Sequence, residues 1–202
     1  MNKPEYVKVD NKKYKINTDF RIAIACNQIA QDSNISDYER ALAIIYKLFG
    51  EEGLECENQN KLLELATRYL LLNKTEKDLK NDSDNKFELD FMKCQGLIES
   101  SFKFDYNYNP YDLEYLHYYD FYTDLENLSS SEFGTCCVLN RIINILNMET
   151  KDIKDKKQVE NIRKTQAELR KKYCVDKKSD LDNEEKTSVM NLYKSLGLWK
   201  GE

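Results

Sequence analysis

The residue types best suited to catalysis are scarce in this 202-residue sequence, which contains a single histidine, His117. Ser-His and Cys-His nucleophiles and multi-histidine metal sites each require an imidazole, so all of them depend on this one residue. His117 lies in the aromatic run Leu116-His117-Tyr118-Tyr119, where a packed or half-exposed ring is the more frequent role. We therefore expect a structural histidine rather than a catalytic base.

The six cysteines and six glycines do not form a motif for binding metal or phosphate. No two cysteines have the C-x-x-C spacing of a zinc site, and no glycine-rich phosphate loop occurs. Buried, reduced thiols are the expected state of Cys26, Cys56, Cys94, Cys136, Cys137 and Cys174. We expect no catalytic residues, no metal, no cofactor and no enzymatic activity.

Paired carboxylates are the remaining candidates for acid-base chemistry, for example Asp120 and Asp124 at positions i and i+4. In a chain with 36 acidic residues, such pairs are expected on solvated helix faces. A small enzyme that uses Asp and Tyr stays open as an alternative. It would require a buried carboxylate beside His117.

Four tyrosines follow the helix-start signal Asn109-Pro110, in which Asn caps the first free N–H groups and Pro occupies the first helical position. Their spacing of 4, 3 and 4 residues predicts one stripe along a single helix, formed by Tyr111, Tyr115, Tyr118 and Tyr122. Packing against the core is the main expectation for this stripe, and a protein-docking surface is the alternative. Nucleic acid is disfavoured as a partner, because acidic residues alternate with the rings and would repel phosphate.

Hydrophobic spacing elsewhere predicts a mainly α, helical bundle-like protein with a small N-terminal β-hairpin that turns at Asp10-Asn11. Thr18 is the expected cap of the first helix. The second helix is expected to begin after Ser36 and end at Gly50, with an apolar face formed by Tyr38, Leu42, Ile45 and Phe49. A third helix, buried on more than one face, is predicted from about 59 to 72.

The stretch 74–86 holds one apolar residue in thirteen and is predicted to be a polar linker. It divides the chain into four expected parts. These are a hairpin with three helices over 1–73, the linker over 74–86, a helical region over 87–174, and an amphipathic extension over 175–202.

Three helices besides the tyrosine helix are predicted in the second half of the chain. The first spans 87–102 and is followed by a loop over 103–109. The second spans 133–146, is capped by Ser129 with Glu132, and is expected to be the most buried element. The third is a charged helix over 151–174 with a thin apolar stripe. The extension offers a second candidate docking surface, made of Leu192, Leu196 and Trp199.

The overall composition excludes several classes of protein. Hydrophobic residues make up 41% of the chain, but no apolar run is long enough for a membrane span, so neither a membrane partner nor export from the cytoplasm is expected. The net charge of −5 gives no global attraction to nucleic acid. Residues 74–132 carry 6 basic and 14 acidic side chains, whereas 151–202 carry 14 and 10. These surfaces of opposite sign either attract each other within the fold or dock a partner.

The order of residues over 94–173 resembles that of the tail assembly chaperones of siphophages and prophages. The likeness lies in Ile98-Glu99-Ser100-Ser101-Phe102, Tyr106 and Leu116-His117-Tyr118-Tyr119-Asp120-Phe121, and continues in Leu128-Ser129, Arg141-Ile142-Ile143 and Leu169-Arg170-Lys171-Lys172-Tyr173. Two positions depart from that pattern, because Tyr118-Tyr119 stands where Trp-Trp is usual and Asp120 replaces a basic residue.

The resemblance implies a non-enzymatic phage protein in the cytoplasm of the bacterial host. Such chaperones keep the long, helical tape measure protein soluble and help tail tube protein subunits assemble on it. Their genes usually lie between those of the major tail protein and the tape measure protein. The alternative is a prophage-encoded regulatory or inhibitory protein that binds a host factor.

Overall fold

The computed structural model describes residues 3–32, 34–74, 89–128, 137–151 and 153–175. The predicted fold class is confirmed, because the chain is mainly helical and has a small two-stranded hairpin near its N-terminus. Within these ranges the residues form two compact units. The first contains the residues up to Lys74 together with Tyr115–Phe121, and the second contains those of 89–114 and 122–175. The predicted linker and the predicted C-terminal extension lie almost wholly outside the described residues, so the four-part division stays a prediction.

The first unit begins with an antiparallel hairpin of β1 (Tyr6–Val9) and β2 (Lys12–Lys15). Asp10, at the turn, has a φ of 51°, a left-handed conformation that Asp tolerates better than most side chains. Val9 and Tyr14 are buried, whereas the lysines of β2 are exposed. The alternation of the sequence therefore decides which face of the hairpin meets the core.

Helix α1 (Phe20–Gln31) begins one residue later than predicted, because Asp19 and not Thr18 is its cap. The Asp19 carboxylate accepts a hydrogen bond of 2.9 Å from the backbone N–H of Arg21. Thr18 is instead buried, and its hydroxyl shares a hydrogen bond of 2.6 Å with the hydroxyl of Tyr115. The Thr18 side chain, predicted from the local sequence to cap α1, therefore bonds a residue far along the chain instead.

Helix α2 (Asp37–Phe49) packs against α1 and has the predicted ends. Ser36 and Glu39 form a reciprocal capping box, and Gly50, with a φ of 68°, ends the helix. Its buried face is formed by Ala41, Ile44, Ile45, Leu48 and Phe49. The expectation that Tyr38 joins this face was wrong, since Tyr38 is 63% exposed.

Two further helices of the first unit follow, α3 (Glu51–Leu54) and α4 (Gln59–Leu70). Asn58 caps α4 by accepting from the backbone N–H of Lys61 at 3.2 Å. The prediction that this helix is buried on more than one face is confirmed by Leu62, Leu63, Ala66, Tyr69 and Leu70. Both α2 and β1 pack against α4, which explains why one apolar stripe would not suffice.

In the second unit, α5 spans Gln95–Tyr106 and differs from the helix predicted over 87–102. The Asp90 carboxylate accepts from the backbone N–H groups of Met92 and Lys93, at 3.0 and 3.2 Å, and so holds a turn before the helix. The helix then continues through most of the predicted loop over 103–109. It ends at Asn107, which adopts the left-handed conformation typical of a helix end.

The start signal at Asn109-Pro110 produces only a single 3-10 turn, Pro110–Asp112. Asn109 accepts from the backbone N–H of Tyr111 as predicted, but no helix continues from there. Helix α6 spans Tyr118–Glu126, and the segment before it is not helical. The prediction of one tyrosine helix was therefore wrong.

The last described helices are α7 (Val138–Asn147) and α8 (Lys156–Tyr173), which pack together. The predicted capping pair Ser129 and Glu132 lies outside the described residues. Among the residues of α7 only Leu139 and Leu146 are buried, so the expectation of the most buried element was wrong. The thin stripe of α8 is confirmed by half-buried Val159, Ile162, Leu169 and Tyr173 beside buried Gln166.

Two glycines provide a matched test of packing. A Cβ at Gly53 would lie 2.7 Å from Cβ of Phe49 and 2.9 Å from Cγ2 of Ile45, whereas a Cβ at Gly96 would meet nothing within 4 Å. We expect Gly53→Ala to lower the free energy of unfolding by about 1–3 kcal/mol through overpacking. Gly96→Ala should raise it by up to about 1 kcal/mol through helix propensity. Urea unfolding of both variants checks this, and equal shifts of the two would contradict it.

Candidate partner-binding surface

The four candidate tyrosines occupy different environments. Tyr111 is half-buried in the 3-10 turn, and Tyr122 is half-buried in α6. Tyr115, between these elements, is 55% exposed, whereas Tyr118 is only 5% exposed. No common stripe exists, because these residues belong to three successive pieces of backbone. The other candidates, Leu192, Leu196 and Trp199, lie outside the described residues.

A short backbone pairing interrupts the predicted tyrosine helix. Asp19 and His117 form an isolated antiparallel bridge. The backbone N–H of Phe20 donates to the carbonyl of Leu116 at 3.0 Å, and the N–H of Tyr118 donates to the carbonyl of Thr18 at 2.7 Å. The carbonyl of Leu116 and the N–H of Tyr118 thus bond the segment around Asp19, so they do not form the hydrogen bonds of a continuous helix. Helix α6 can begin only after this pairing.

The pairing of Asp19 with His117 places two tyrosine hydroxyls at the C-terminal end of α4. The Tyr118 hydroxyl donates to the carbonyl of Leu70 at 2.9 Å, and the Tyr119 hydroxyl donates to that of Tyr69 at 3.4 Å. The Asn73 amide in turn donates to the Tyr119 hydroxyl at 3.0 Å. The last carbonyls of a helix have no intrahelical partner, so the Tyr118 hydroxyl acts as a cap supplied from far along the chain. The Tyr69 carbonyl also accepts from the backbone N–H of Leu72 at 2.9 Å, so the Tyr119 hydroxyl adds a second, longer bond there.

The rings around this cap form a small aromatic cluster. Tyr69 stacks on Tyr119 with centroids 5.3 Å apart and lies 5.8 Å from Tyr118. Phe20 stacks on Phe121 at 4.3 Å. Tyr118, Tyr119 and Phe121 are all buried, so the aromatic run that carries the family resemblance is part of the core. Of the four candidates, Tyr115 is the most exposed.

His117 is buried, with Nδ1 accepting a hydrogen bond of 3.0 Å from the backbone N–H of Tyr119. This bond requires an unprotonated Nδ1, and Nε2 has no hydrogen-bond partner. Burial is the main cause that holds the pKa of His117 below its usual value, and nearby Asp120 opposes it. The imidazole is thus held in the neutral form and stabilises the start of α6.

The carboxylates whose charge acts on the pKa of His117 are not arranged as a catalytic pair. Asp120 is 41% exposed and forms an ion pair of 2.7 Å with Lys3, and Glu5 is also exposed. Asp124 accepts a hydrogen bond of 2.6 Å from the hydroxyl of Tyr108. Asp120 and Asp124 therefore have separate partners. The buried carboxylate that the enzyme alternative requires beside His117 is not among the described groups that shift its pKa.

The cysteines behave as small apolar residues. The prediction of buried, reduced thiols is confirmed for Cys26, Cys56, Cys94, Cys137 and Cys174, while Cys136 lies outside the described residues. Burial raises the pKa of both Cys26 and Cys94 to about 12, which makes their thiolates scarce at neutral pH. In the described ranges, no three His, Cys, Asp or Glu side chains are grouped to hold a metal ion.

Several large apolar side chains outside the predicted docking surfaces are exposed. In the first unit they include Tyr38 and Tyr46 of α2, and in the second they include Met92 and Phe104. Tyr38 and Tyr46, with half-buried Leu42 between them, recur at four-residue steps. That stripe was visible in the sequence, but only the packing of α2 shows which apolar stripe faces inward. Among the described helices, none is long and apolar enough to cross a membrane.

A family model described as Bacteriophage Gp15 protein matches residues 2–171, from the segment before β1 into α8. The chain belongs to this family. It is therefore a bacteriophage protein, and the part of the predicted resemblance that concerns its phage origin is confirmed. No curated protein and no solved structure matches the chain.

The hydroxyl cap on α4 predicts a difference between two buried tyrosines. Tyr118→Phe removes the donor to the Leu70 carbonyl and should lower the free energy of unfolding by about 1–2 kcal/mol. Tyr69→Phe is the matched control, because the buried Tyr69 hydroxyl has no hydrogen-bond partner. It should leave stability unchanged or raise it slightly. Thermal and urea unfolding measure both, and an equal loss in Tyr69→Phe would refute the cap.

The neutral state of His117 predicts a loss of stability in mild acid. Its pKa is lower in the folded chain than in the unfolded chain, so the stabilisation is complete above about pH 6.5 and is lost as the pH falls through the folded value. In His117→Asn the side-chain oxygen replaces Nδ1 as acceptor but does not titrate. The wild type should lose more stability than this variant between pH 8 and pH 5, as measured by urea midpoints. Parallel pH profiles would exclude this role for His117.

Proposed function

We propose that this protein is a phage tail assembly chaperone without enzymatic activity. It binds the tape measure protein in the cytoplasm of the bacterial host and aids assembly of the tail tube. Membership of a bacteriophage family over residues 2–171, together with the residue order over 94–173 that resembles tail assembly chaperones, is the observation that carries this proposal.

The distribution of apolar side chains supports a role in binding a protein. Tyr38, Tyr115 and Phe104 are each more than half exposed. Exposed aromatic side chains provide large contact areas with little loss of conformational entropy, and amphipathic helices of a partner bind to such apolar surfaces. Tyr115 and the candidate residues Leu192, Leu196 and Trp199 are the proposed contacts. Tyr118 supports the fold instead, because its ring is buried and its hydroxyl is used.

The polar chemistry of the described residues also favours binding over catalysis. His117, the one imidazole, uses Nδ1 in a backbone hydrogen bond. The described thiols are buried, and the hydroxyls of Tyr106 and Tyr108 donate to Asp124, to its carbonyl and its carboxylate respectively. These groups are used in hydrogen bonds and packing within each unit. We therefore propose that the protein acts through its surfaces.

Co-expression with the tape measure protein of the same phage tests the proposal. Wild type should raise the soluble fraction of the tape measure protein and elute with it in size-exclusion chromatography. Tyr115→Ala and Trp199→Ala should each reduce the amount of complex, since one buried aromatic side chain contributes about 1.5–3 kcal/mol. The melting temperature of Tyr115→Ala should fall only modestly, because its ring is exposed and the main loss is its hydrogen bond with the Thr18 hydroxyl, worth about 0.5–1.5 kcal/mol.

Tyr118→Ala is the matched control for a residue of the core. It should lower the melting temperature strongly, by analogy with the cost of about 3–5 kcal/mol for deleting a buried aromatic ring. If wild type neither forms a complex nor raises the solubility of the tape measure protein, the chaperone proposal fails, whatever the variants do.

A further inference from the structure

Helix α8 carries pairs of basic residues that recur every seven positions. The pairs are Lys156 with Lys157, Arg163 with Lys164, and Arg170 with Lys171. At about 100° per residue, all six side chains leave the helix axis within about 140° of its circumference. Successive pairs lie about 10.5 Å apart along the axis. We call these six residues the basic ridge.

The basic ridge lies on the solvent-exposed side of α8. All six of its residues are exposed, and none of them forms an ion pair with another described residue. Between the pairs, Glu160 and Glu168 are also exposed. Much of the acidic stretch 74–132 lies outside the described residues, so the expected attraction between the acidic and basic surfaces stays a prediction. Among the described residues, the six cations of the ridge are exposed and have no ion-pair partner.

The other side of α8 is already used within the second unit. Gln166 is buried, and its amide donates to the carbonyls of Ile145 and Met148, each at 2.9 Å. Half-buried Val159 and Ile162 lie on the same side. The packing with α7 therefore fixes the rotation of α8 and keeps the ridge directed away from the core.

We propose that the basic ridge binds an acidic α-helical segment of the partner protein, in which Asp or Glu residues recur about every seven positions. The inference rests on the proposed function, in that this partner is the tape measure protein. A helix lying along α8 repeats its own surface at the same interval of about 10.5 Å, so each basic pair meets one acidic pair. Charge complementarity of this kind sets register and accelerates association.

Nucleic acid fits the ridge less well than an acidic helix. Duplex DNA carries one phosphate charge about every 1.7 Å of axis, far more densely than one basic pair about every 10.5 Å. The whole chain is acidic, with a net charge of −5, and Glu160 lies within the ridge itself. Both features weaken binding to a continuous line of phosphates, so the geometry favours a protein partner.

Binding of defined peptides to the full chain tests the ridge directly. The probe is a labelled helical peptide of three Glu-Glu-Ala-Ala-Gln-Ala-Ala repeats. An isomer of the same composition, with its Glu pairs every five residues, scatters the same charges around the helix. We call the first probe, whose Glu pairs recur every seven positions, the seven-residue peptide. At low ionic strength we expect it to bind about tenfold more tightly than the isomer, and more tightly than a duplex DNA of similar length. Its affinity should fall with added salt.

Two variants of equal charge separate the ridge from general electrostatics. In the first, Gln replaces Lys157, Lys164 and Lys171, which keeps helix propensity and removes one cation from each pair. In the second, Gln replaces Lys8, Lys13 and Lys47, which are exposed residues of the first unit. We expect the first variant to bind the seven-residue peptide about tenfold more weakly, because each of the three lost ion pairs with the peptide contributes a small part of the binding free energy. Its helicity by circular dichroism should be unchanged. The second variant should bind like wild type.

The outcomes distinguish the ridge from the chaperone function. Equal binding of both peptides, equal loss in both variants, or tighter binding of DNA would each overturn the ridge proposal. If the first variant still forms as much tape measure complex as wild type, the ridge is not the contact and the chaperone function stands. If wild type binds the seven-residue peptide but forms no tape measure complex, the proposed function fails, and with it the assignment of that partner to the ridge.

Discussion

The backbone pairing of Asp19 with His117 is the interaction on which the first unit most depends. It joins the start of α1 to a segment almost a hundred positions later and prevents a helix from forming through that segment. The same pairing brings the hydroxyls of Tyr118 and Tyr119 to the last carbonyls of α4. Neutral His117 supports the arrangement by accepting from the N–H of Tyr119. The aromatic run is therefore a joint between helices and not an exposed stripe.

Both units complete helix ends with side chains that come from elsewhere in the chain. Tyr118 bonds the last residue of α4, and Gln166 of α8 bonds the carbonyls of Ile145 and Met148 at the end of α7. Unpaired carbonyls at a buried helix end are costly, so such bonds select one arrangement of neighbouring helices. The surfaces left over are those proposed to meet a partner.

The two proposed recognition surfaces differ in their physics. The exposed ring of Tyr115 would contribute buried apolar area, which strengthens a complex once it has formed. The basic ridge of α8 would contribute long-range attraction and register, at small cost in desolvation because its cations stay at the surface. The electrostatic contacts form quickly and each is individually weak, which suits the reversible binding that the proposed function requires.

Local sequence determined the parts of this protein in which the causes are local. The hairpin, the capping box of Ser36 and Glu39, the end at Gly50 and the apolar stripe of α8 follow from neighbouring residues, and the structure has them all. The absence of nucleophile and phosphate-binding motifs was likewise readable, and a familiar residue order over 94–173 pointed to phage tail proteins.

Only the tertiary structure decided the role of the tyrosines. Their spacing satisfied a helical period and Asn109-Pro110 supplied a valid start, but the hydrogen bonds of Leu116 and Tyr118 with the segment around Asp19 outcompete a continuous helix. Tyr38 is exposed and Tyr118 is buried, although the two residues are of the same type and both follow a helical spacing in the sequence. Periodicity identifies which residues share a face of a helix, whereas the packing of distant segments selects which face is buried and where a helix can begin.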